Sequence, residues 1–247
     1  MRRFGLIGYP LSHSFSPAYF SQKFNKEGLS DCLYEAFPIK SVEELPSLLA
    51  NNPDLEGLNV TIPYKKEILP FLNKSTEAVK QTGACNCIKI KNGILTGYNT
   101  DVTGFEKSLL TDLKPTHTKA LILGTGGAAA AVKFVLKRLN IDFLFVSRKS
   151  QPDKNILTYE EISSEIINEY KLIINTTPLG MYPDVNSCPD ILYENLTKEH
   201  YLYDLIYNPD QTLFLEKGAE KGATTKNGSD MLIIQAEESW KIWNEIV

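Results

Sequence analysis

The sequence predicts an α/β protein with two domains, each built around a mostly parallel sheet. Short apolar runs alternate with helix-like stretches, which is typical of parallel sheets covered on both faces. Near Thr118 the alternation begins again with a strand, a glycine turn and a helix rich in small residues. Because no repeat or flexible linker marks this point, we place a domain boundary near residue 102 from the pattern alone.

The first hundred residues alternate between strand and helix signals. We predict strands at residues 4–8, 33–37 and 57–60, and helices at residues 17–27 and 42–49. Ser16 is the expected N-cap of the first helix, because Pro17 suits the first helical position. After Pro63 come helical segments, and then an apolar strand that turns at Lys91-Asn92-Gly93.

The second series has a more regular pattern. We predict strands at residues 120–123, 141–146, 172–175 and 201–204. A helix at 128–139 follows the first of these strands. The chain closes with a helix at 231–246, whose apolar residues recur at helical spacing.

Composition and charge disfavour several classes of protein. The net charge is −4, with acids and bases interspersed, unlike the basic face of a nucleic-acid-binding protein. The apolar runs are too short to cross a bilayer. The N-terminal apolar stretch breaks at Gly8-Tyr9-Pro10, so we interpret it as a strand and not as a signal peptide. We therefore expect a cytoplasmic protein. The four cysteines lack zinc-like spacing, which favours buried free thiols over a metal or redox site.

A glycine turn between strand and helix is the strongest local signal. Leucine and isoleucine at 121–123 lead into Gly124-Thr125-Gly126-Gly127, followed by four alanines. Gly124 permits the tight turn, Gly126 lets the backbone approach a pyrophosphate, and Ala129 allows close helix packing. The first N–H groups of the helix can bind phosphate oxygens. We predict a Rossmann-type dinucleotide site; the alternative is a turn used only for packing.

The end of the next strand favours NADP over NAD. An NAD site commonly has an acid here for the ribose 2′-hydroxyl, whereas arginine accommodates a 2′-phosphate. This strand ends in Ser147-Arg148-Lys149-Ser150, with two cations and no acid. A guanidinium can pair with the extra phosphate through two hydrogen bonds. The alternative for these cations is a solvated loop end.

Three polar segments in the first half suggest a ligand site. They are residues 12–17, 59–65 and 99–101, each at or near a predicted strand end. Each also has a simpler interpretation. The serines near residue 14 could cap a helix, Lys65 could be a solvated loop lysine, and Asp101 could be an N-cap. We favour a site because the three segments are expected to converge.

With these segments, the sequence resembles the shikimate dehydrogenase family from end to end. Seven blocks match the family's motifs in order around the glycine turn. They are GYPLSHSFSP at 8–17, NVTIPYK at 59–65, GACN at 83–86, GYNTDVTG at 97–104, NTTPLGM at 175–181, DLIYNP at 204–209 and MLIIQA at 231–236.

The resemblance implies reversible reduction of 3-dehydroshikimate to shikimate by NADPH, a step in aromatic amino acid (chorismate) biosynthesis. Lys65 and Asp101 would be catalytic. The substrate-binding residues would be Ser14 and Ser16, which hold the carboxylate, and Thr61, Asn86, Tyr207 and Gln235. The cofactor-binding residues would be Gly124, Thr125, Gly126, Gly127, Ala128, Ser147, Arg148, Lys149, Thr176, Met181 and Gly228.

The implied architecture brings the last helix back to the first domain. Residues 1–101 and 229–247 would form the substrate domain and 102–228 the Rossmann-type domain, with the active site in the cleft between them. We expect a small-molecule substrate, neither a nucleic-acid nor a membrane partner, no metal, and a monomer or homodimer.

Several residues depart from the family's pattern. Ser147-Arg148-Lys149 stands in place of the usual N-R-T, and Tyr19-Phe20 replaces the common His-Asn. Asp230 puts a side chain where glycine would let the backbone approach the nicotinamide. The polar stretch at 151–169 is hard to align, and nothing is carried over from it.

Two rival functions remain. One is a quinate/shikimate dehydrogenase with relaxed NAD or NADP use, against which Arg148 argues. The other is a non-catalytic NADP-binding sensor, which we would expect to have lost Lys65 or Asp101.

Overall fold

The computed structural model describes residues 1–12, 14–149 and 155–245, and the chain forms two compact units. The first unit is Met1–Thr103 with Gln235–Val247, and the second is Gly104–Ile234. Within the described ranges, no helix is long and apolar enough to span a membrane. His13, Ser150 and the end of the predicted closing helix at residue 246 lie outside the described residues.

The described part of the first unit contains a six-stranded sheet with the order β2-β1-β3-β5-β6-β4. Its strands are β1 Arg2–Gly8, β2 Cys32–Pro38, β3 Leu55–Val60, β4 Lys74–Ser75, β5 Cys87–Lys91 and β6 Ile94–Tyr98. Its helices are α1 Phe15–Glu27, α2 Leu45–Asn51 and α3 Glu77–Thr82, together with the start of α4 Thr100–Leu110 and most of α8 Ser229–Asn244.

This first sheet is parallel except around β5. Strand β1 runs parallel to β2 and β3, whereas β5 is antiparallel to β3 and β6. The predicted turn explains the pairing of β5 with β6, since Asn92 (φ 51°) and Gly93 (φ 73°) are both left-handed. Two such residues form the tight turn of an antiparallel hairpin. The mostly parallel prediction therefore holds, with a local exception.

The second sheet is entirely parallel among the described residues, in the order β12-β11-β10-β7-β8-β9. Its strands are β7 Lys119–Leu123, β8 Asp142–Val146, β9 Ile156–Leu157, β10 Leu172–Asn175, β11 Tyr201–Asp204 and β12 Thr224–Lys226. Helices α5 Gly127–Arg138, α6 Ser164–Glu169 and α7 Leu213–Glu220 connect them. Numbered within the unit, this is the 3-2-1-4-5-6 order of a dinucleotide-binding fold, as predicted.

Two local predictions were wrong. Ser14, not Ser16, is the N-cap of α1, and Pro17 is the third helical residue. Proline is tolerated there because the first-turn N–H groups have no partner within the helix. The helix predicted at 42–49 is instead a 3-10 turn, Val42–Glu44, followed by α2. Ser41 and Glu44 form a capping box that starts this turn.

The aromatic core of the first unit explains why phenylalanine stands at position 20. Phe20 is fully buried and stacks on Tyr34, with ring centroids 4.5 Å apart. Trp243 of α8 lies 5.4 Å from the same ring. Tyr19 stacks on Phe15 and donates a hydrogen bond to Glu237. The Tyr19-Phe20 departure therefore joins α1 to α8 through apolar packing and one polar contact.

Candidate active site

A lysine–aspartate pair lies beyond the carboxyl ends of β3 and β6 in the first unit. Lys65 is in the loop after β3, and its carbonyl accepts a hydrogen bond from the Cys85 N–H (2.7 Å). Asp101 is in the first turn of α4. Lys65 Nζ donates to Asp101 Oδ2 over 2.7 Å, and the two side chains are 33% and 20% exposed. The pair is therefore ordered by the fold and still reachable by a ligand.

Asn86 has a fixed amide orientation beside this pair. The N–H of Thr100 donates to Asn86 Oδ1 over 2.7 Å, and the Thr100 hydroxyl lies 3.2 Å from the same oxygen. A backbone N–H can only donate, so it identifies the atom facing it as the amide oxygen. The Nδ2 group of Asn86 is then the one that can donate to a ligand.

A buried hydroxyl network joins Asn86 to α8. The Thr100 hydroxyl lies 3.5 Å from Gln235 Oε1 and 3.3 Å from Ser239 Oγ. Ser239 Oγ accepts a hydrogen bond from Asn59 Nδ2 (3.0 Å) and donates to the Gln235 carbonyl (2.9 Å). Two residues predicted to bind substrate, Asn86 and Gln235, are thus held by a common set of contacts.

Three members of this network, Asn59, Thr100 and Ser239, were not predicted from the sequence. Asn59 and Thr100 lie inside the motif blocks at 59–65 and 97–104, but neither was predicted to be a site residue. Ser239 follows Gln235 by one helical turn, and this spacing places both on one face of α8. This spacing could have indicated from the sequence that Ser239 lies beside Gln235.

The two serines and the threonine predicted to bind substrate also lie in the first unit. Thr61 follows β3 directly, and its N–H donates to the Ile7 carbonyl at the end of β1 (3.0 Å). Ser14 caps α1 by position, but among the described residues its side chain makes no capping bond. Ser16 lies in the first turn of α1, two residues after this N-cap.

In the second unit, the glycine turn has the features of a phosphate site. Gly124 has φ 104°, and a Cβ there would lie 2.8 Å from Thr176 Oγ1. At Gly126 and Gly127, a Cβ would meet no described atom within 4 Å. Gly126 is the N-cap of α5, and residues 125–128 are exposed. The turn thus presents open backbone and a helix N-terminus, which suits a diphosphate.

The cations at the end of β8 are accessible. Ser147 N–H donates to the Leu157 carbonyl (2.8 Å), which holds the start of this segment. Arg148 and Lys149 are exposed, directly after a strand that pairs with β7. Their charge fits a phosphate on the adenosine ribose.

The remaining predicted cofactor residues lie on loops of the second unit. Thr176 donates to the Leu123 carbonyl from both its N–H (2.9 Å) and its hydroxyl (2.7 Å). Met181 and Tyr207 are 47% and 41% exposed. Their loops meet where the Tyr182 N–H donates to the Asn208 carbonyl (3.2 Å). At Gly228, a Cβ would lie 2.2 Å from the Leu205 carbonyl oxygen, so only glycine fits.

The charge of Asp230, which the sequence left in question, is paired. Its carboxylate lies 2.8 Å from Nζ of Lys226, the last residue of β12 and four positions earlier in the chain, and is 55% exposed. Lys226 also donates to the hydroxyl of Thr111 (2.9 Å). The close approach of this stretch to the Leu205 carbonyl is made by Gly228, two residues before the aspartate.

Comparisons with known proteins agree with this geometry. Residues 6–88 match the family model described as the shikimate dehydrogenase substrate binding domain. A shikimate dehydrogenase (NADP(+)) from Methanococcus vannielii is 37% identical, covering 97% of this chain and 90% of that protein.

Solved structures resemble the whole chain. Shikimate 5-dehydrogenase from Thermus thermophilus, in complex with NADP(H) and shikimate, has a TM-score of 0.85 and 30% identity over 100% of this chain and 95% of that one. Quinate dehydrogenase from Corynebacterium glutamicum, in complex with NAD, has a TM-score of 0.87 and 26% identity, covering 99% and 94%. The chain therefore belongs to the shikimate dehydrogenase family.

Proposed function

We propose that this protein is an NADP-dependent shikimate dehydrogenase, which reduces 3-dehydroshikimate to shikimate and catalyses the reverse oxidation. The observation that carries the proposal is the Lys65–Asp101 pair, at 2.7 Å, in the unit that matches the substrate-binding family model. The name of the Methanococcus vannielii relative supports both the substrate and the cofactor.

The two units would bind different molecules, the substrate in the first and the cofactor in the second. The first would bind substrate, with Ser14 and Ser16 on the carboxylate, and with Thr61, Asn86 and Gln235 on the ring hydroxyls. Serine hydroxyls can solvate an anion without placing a second cation beside Lys65. In the second unit, the glycine turn would hold the diphosphate, and Arg148 with Lys149 the 2′-phosphate. Thr176, Met181 and Gly228 would lie near the nicotinamide, and Tyr207 would face the substrate.

Lys65 and Asp101 would carry out the proton transfer. NADPH supplies the hydride that reduces the substrate ketone. Negative charge then develops on the ketone oxygen, and an ammonium placed beside it stabilises that charge and donates the proton. Lys65 has three N–H donors, of which one is used by Asp101, so the others can reach the substrate. Asp101 would orient the lysine and take part in returning the proton.

A quinate/shikimate dehydrogenase is the second candidate, because the quinate dehydrogenase structure resembles this chain about as well as the shikimate enzyme does. The exposed Arg148 and Lys149 favour NADP and hence the first candidate. A non-catalytic sensor is less well supported, since the lysine–aspartate pair is complete. The four free cysteines support a cytoplasmic location, and we expect a monomer or homodimer.

Steady-state kinetics with shikimate and quinate, each with NADP and with NAD, test the proposal. We expect the highest kcat/KM for shikimate with NADP. Lys65→Ala should lower kcat far more than it raises KM, because the ammonium acts mainly in the transition state. Shikimate turnover by Lys65→Ala comparable to that of the wild type would refute the assignment. A preference for quinate with NAD would favour the second candidate.

A further inference from the structure

Asp204, the last residue of β11, is a buried acid that the proposed mechanism does not use. Its side chain is fully buried. Burial raises the pKa of Asp204 to about 6, although hydrogen bonds from Thr212, Ile206 and Asn175 oppose the shift. A buried carboxylate costs free energy unless the fold supplies donors to it. The donors that surround Asp204 therefore indicate what it does.

On one side, Asp204 holds the loop that carries Met181. Asp204 Oδ1 accepts a hydrogen bond from Asn175 Nδ2 over 3.0 Å. Asn175 Oδ1 in turn accepts from the N–H (3.0 Å) and the hydroxyl (2.7 Å) of Thr177. The Thr177 hydroxyl then accepts from the Leu179 N–H (3.3 Å). Because Thr177 N–H can only donate, Asn175 must turn its amide nitrogen toward Asp204.

On the other side, Asp204 holds the segment that carries Tyr207. Its Oδ1 also accepts from the Ile206 N–H (3.0 Å), and its Oδ2 accepts from the Thr212 hydroxyl (2.6 Å) at the start of α7. The Ile206 carbonyl accepts from the Gly228 N–H (2.9 Å). One carboxylate therefore joins, directly or through one residue, the segments of Met181, Tyr207 and Gly228.

We propose that Asp204 is a positioning residue that fixes the loops expected to bind the nicotinamide end of NADP. This inference rests on the proposed function. The side chain itself is enclosed by protein donors and touches no reacting group; it acts through Asn175 and Ile206. Arg148 and Lys149, expected to bind the 2′-phosphate, follow β8, which is separated from β11 by β7 and β10, so we expect the adenosine end of the cofactor to depend much less on Asp204.

Two ligands distinguish binding at the nicotinamide end of the cofactor site from binding at the adenosine end. NADPH contains the nicotinamide, whereas 2′,5′-ADP contains only the adenosine with its 2′-phosphate. Asp204→Asn keeps the shape of the side chain but removes its charge and one acceptor. We expect it to weaken NADPH binding about tenfold, as loss of a hydrogen bond to a charged group would. Its affinity for 2′,5′-ADP should stay within about twofold of wild type, since contacts with that fragment are unchanged.

A second variant covers the case in which Asp204→Asn fails to fold. Thr177→Val removes the hydroxyl bonded to Asn175 and leaves the carboxylate intact, so NADPH affinity should fall in the same direction but by less. Ser163→Ala is the matched control. It removes the N-cap of α6 in the same unit, where Ser163 Oγ accepts from the Ile166 N–H (3.4 Å). This variant should lose stability without changing either affinity.

Isothermal titration calorimetry with the full chain distinguishes the outcomes. Selective loss of NADPH affinity in Asp204→Asn, or in Thr177→Val if the first does not fold, supports the inference. Equal losses for NADPH and 2′,5′-ADP, or no loss for either, overturn it. If the wild type binds neither ligand, the proposed NADP site itself is wrong, and the inference fails with it.

Discussion

Replacing Ser239 by alanine should affect both stability and substrate binding. Its hydroxyl is fully buried and contacts Asn59 Nδ2 (3.0 Å), the Gln235 carbonyl (2.9 Å) and the Thr100 hydroxyl (3.3 Å). Alanine creates only a small cavity, so the main effect is the loss of these hydrogen bonds.

The expected size follows from the partners that remain. Asn59 keeps a second acceptor, the Asn86 carbonyl at 3.2 Å, and the Gln235 carbonyl lies within a helix. We therefore expect a loss of about 1–3 kcal/mol in the free energy of unfolding, the cost of leaving a buried polar group partly unsatisfied. Without its contact to Ser239, the Thr100 hydroxyl could rotate, so it would orient Asn86 and Gln235 less firmly. We expect KM for shikimate to rise about fivefold, equivalent to roughly 1 kcal/mol.

Ser108 provides a matched control in the second unit. It is also fully buried, and it accepts a hydrogen bond from the Tyr203 hydroxyl over 2.8 Å. Ser108→Ala should lose comparable stability with no change in KM for shikimate.

Unfolding in urea, followed by circular dichroism, measures both variants. The chain's two tryptophans, Trp240 and Trp243, both lie in α8, so their fluorescence also reports the surroundings of Ser239 directly. If Ser239→Ala is as stable as the wild type, or if both serine variants change KM for shikimate equally, the network does not position the substrate residues.

Three further sites give separate tests. Gly124→Ala should lower the free energy of unfolding by about 1–3 kcal/mol, because its backbone is left-handed and the added methyl meets Thr176; unchanged urea unfolding would contradict this. Gly126→Ala has open space around the new methyl, so its stability should fall by no more than about 1 kcal/mol, the cost of alanine at an N-cap, while NADP binding, measured by calorimetry, weakens. Burial lowers the pKa of His200, so its neutral form stabilises the fold above about pH 6.5, and this contribution is lost as the pH falls. His200→Gln should therefore lose less stability than wild type between about pH 6.5 and pH 5 in urea titrations; parallel curves would refute it.

Local sequence signals predicted four of the second unit's strands and the helix that follows the glycine turn. The strand, glycine turn and helix at residues 119–138 lie together in the chain, and each signal concerns neighbours a few residues apart. Parallel strands joined by helices admit few arrangements, so a Rossmann-type domain could be predicted from the pattern, although the strand order was not. The short elements β9, β12 and α6 were missed because two to six residues carry too little periodicity. The longer helices α4 and α7 were not predicted either.

For the candidate site, sequence supplied the residue types but not their partners. The motif blocks named Lys65, Asp101, Asn86 and Gln235, and the spacing favoured Lys65 over its exposed neighbour Lys66. The hydrogen bond of Lys65 to Asp101 spans 36 positions, and that of Thr100 to Gln235 spans 135. Periodicity concerns only neighbouring turns, so it carries no information on such contacts.

The sequence alone determined the α/β class, the glycine turn with its following cations, and the family resemblance. Each depends on residues adjacent in the chain or on blocks read in order. Tertiary structure alone decided that Ser239 and Thr100 hold Asn86 and Gln235, and that Asp204 joins three loops. The physical reason is that a hydrogen bond requires two atoms at about 3 Å with suitable angles. Folding of distant segments sets that geometry, which no local pattern contains.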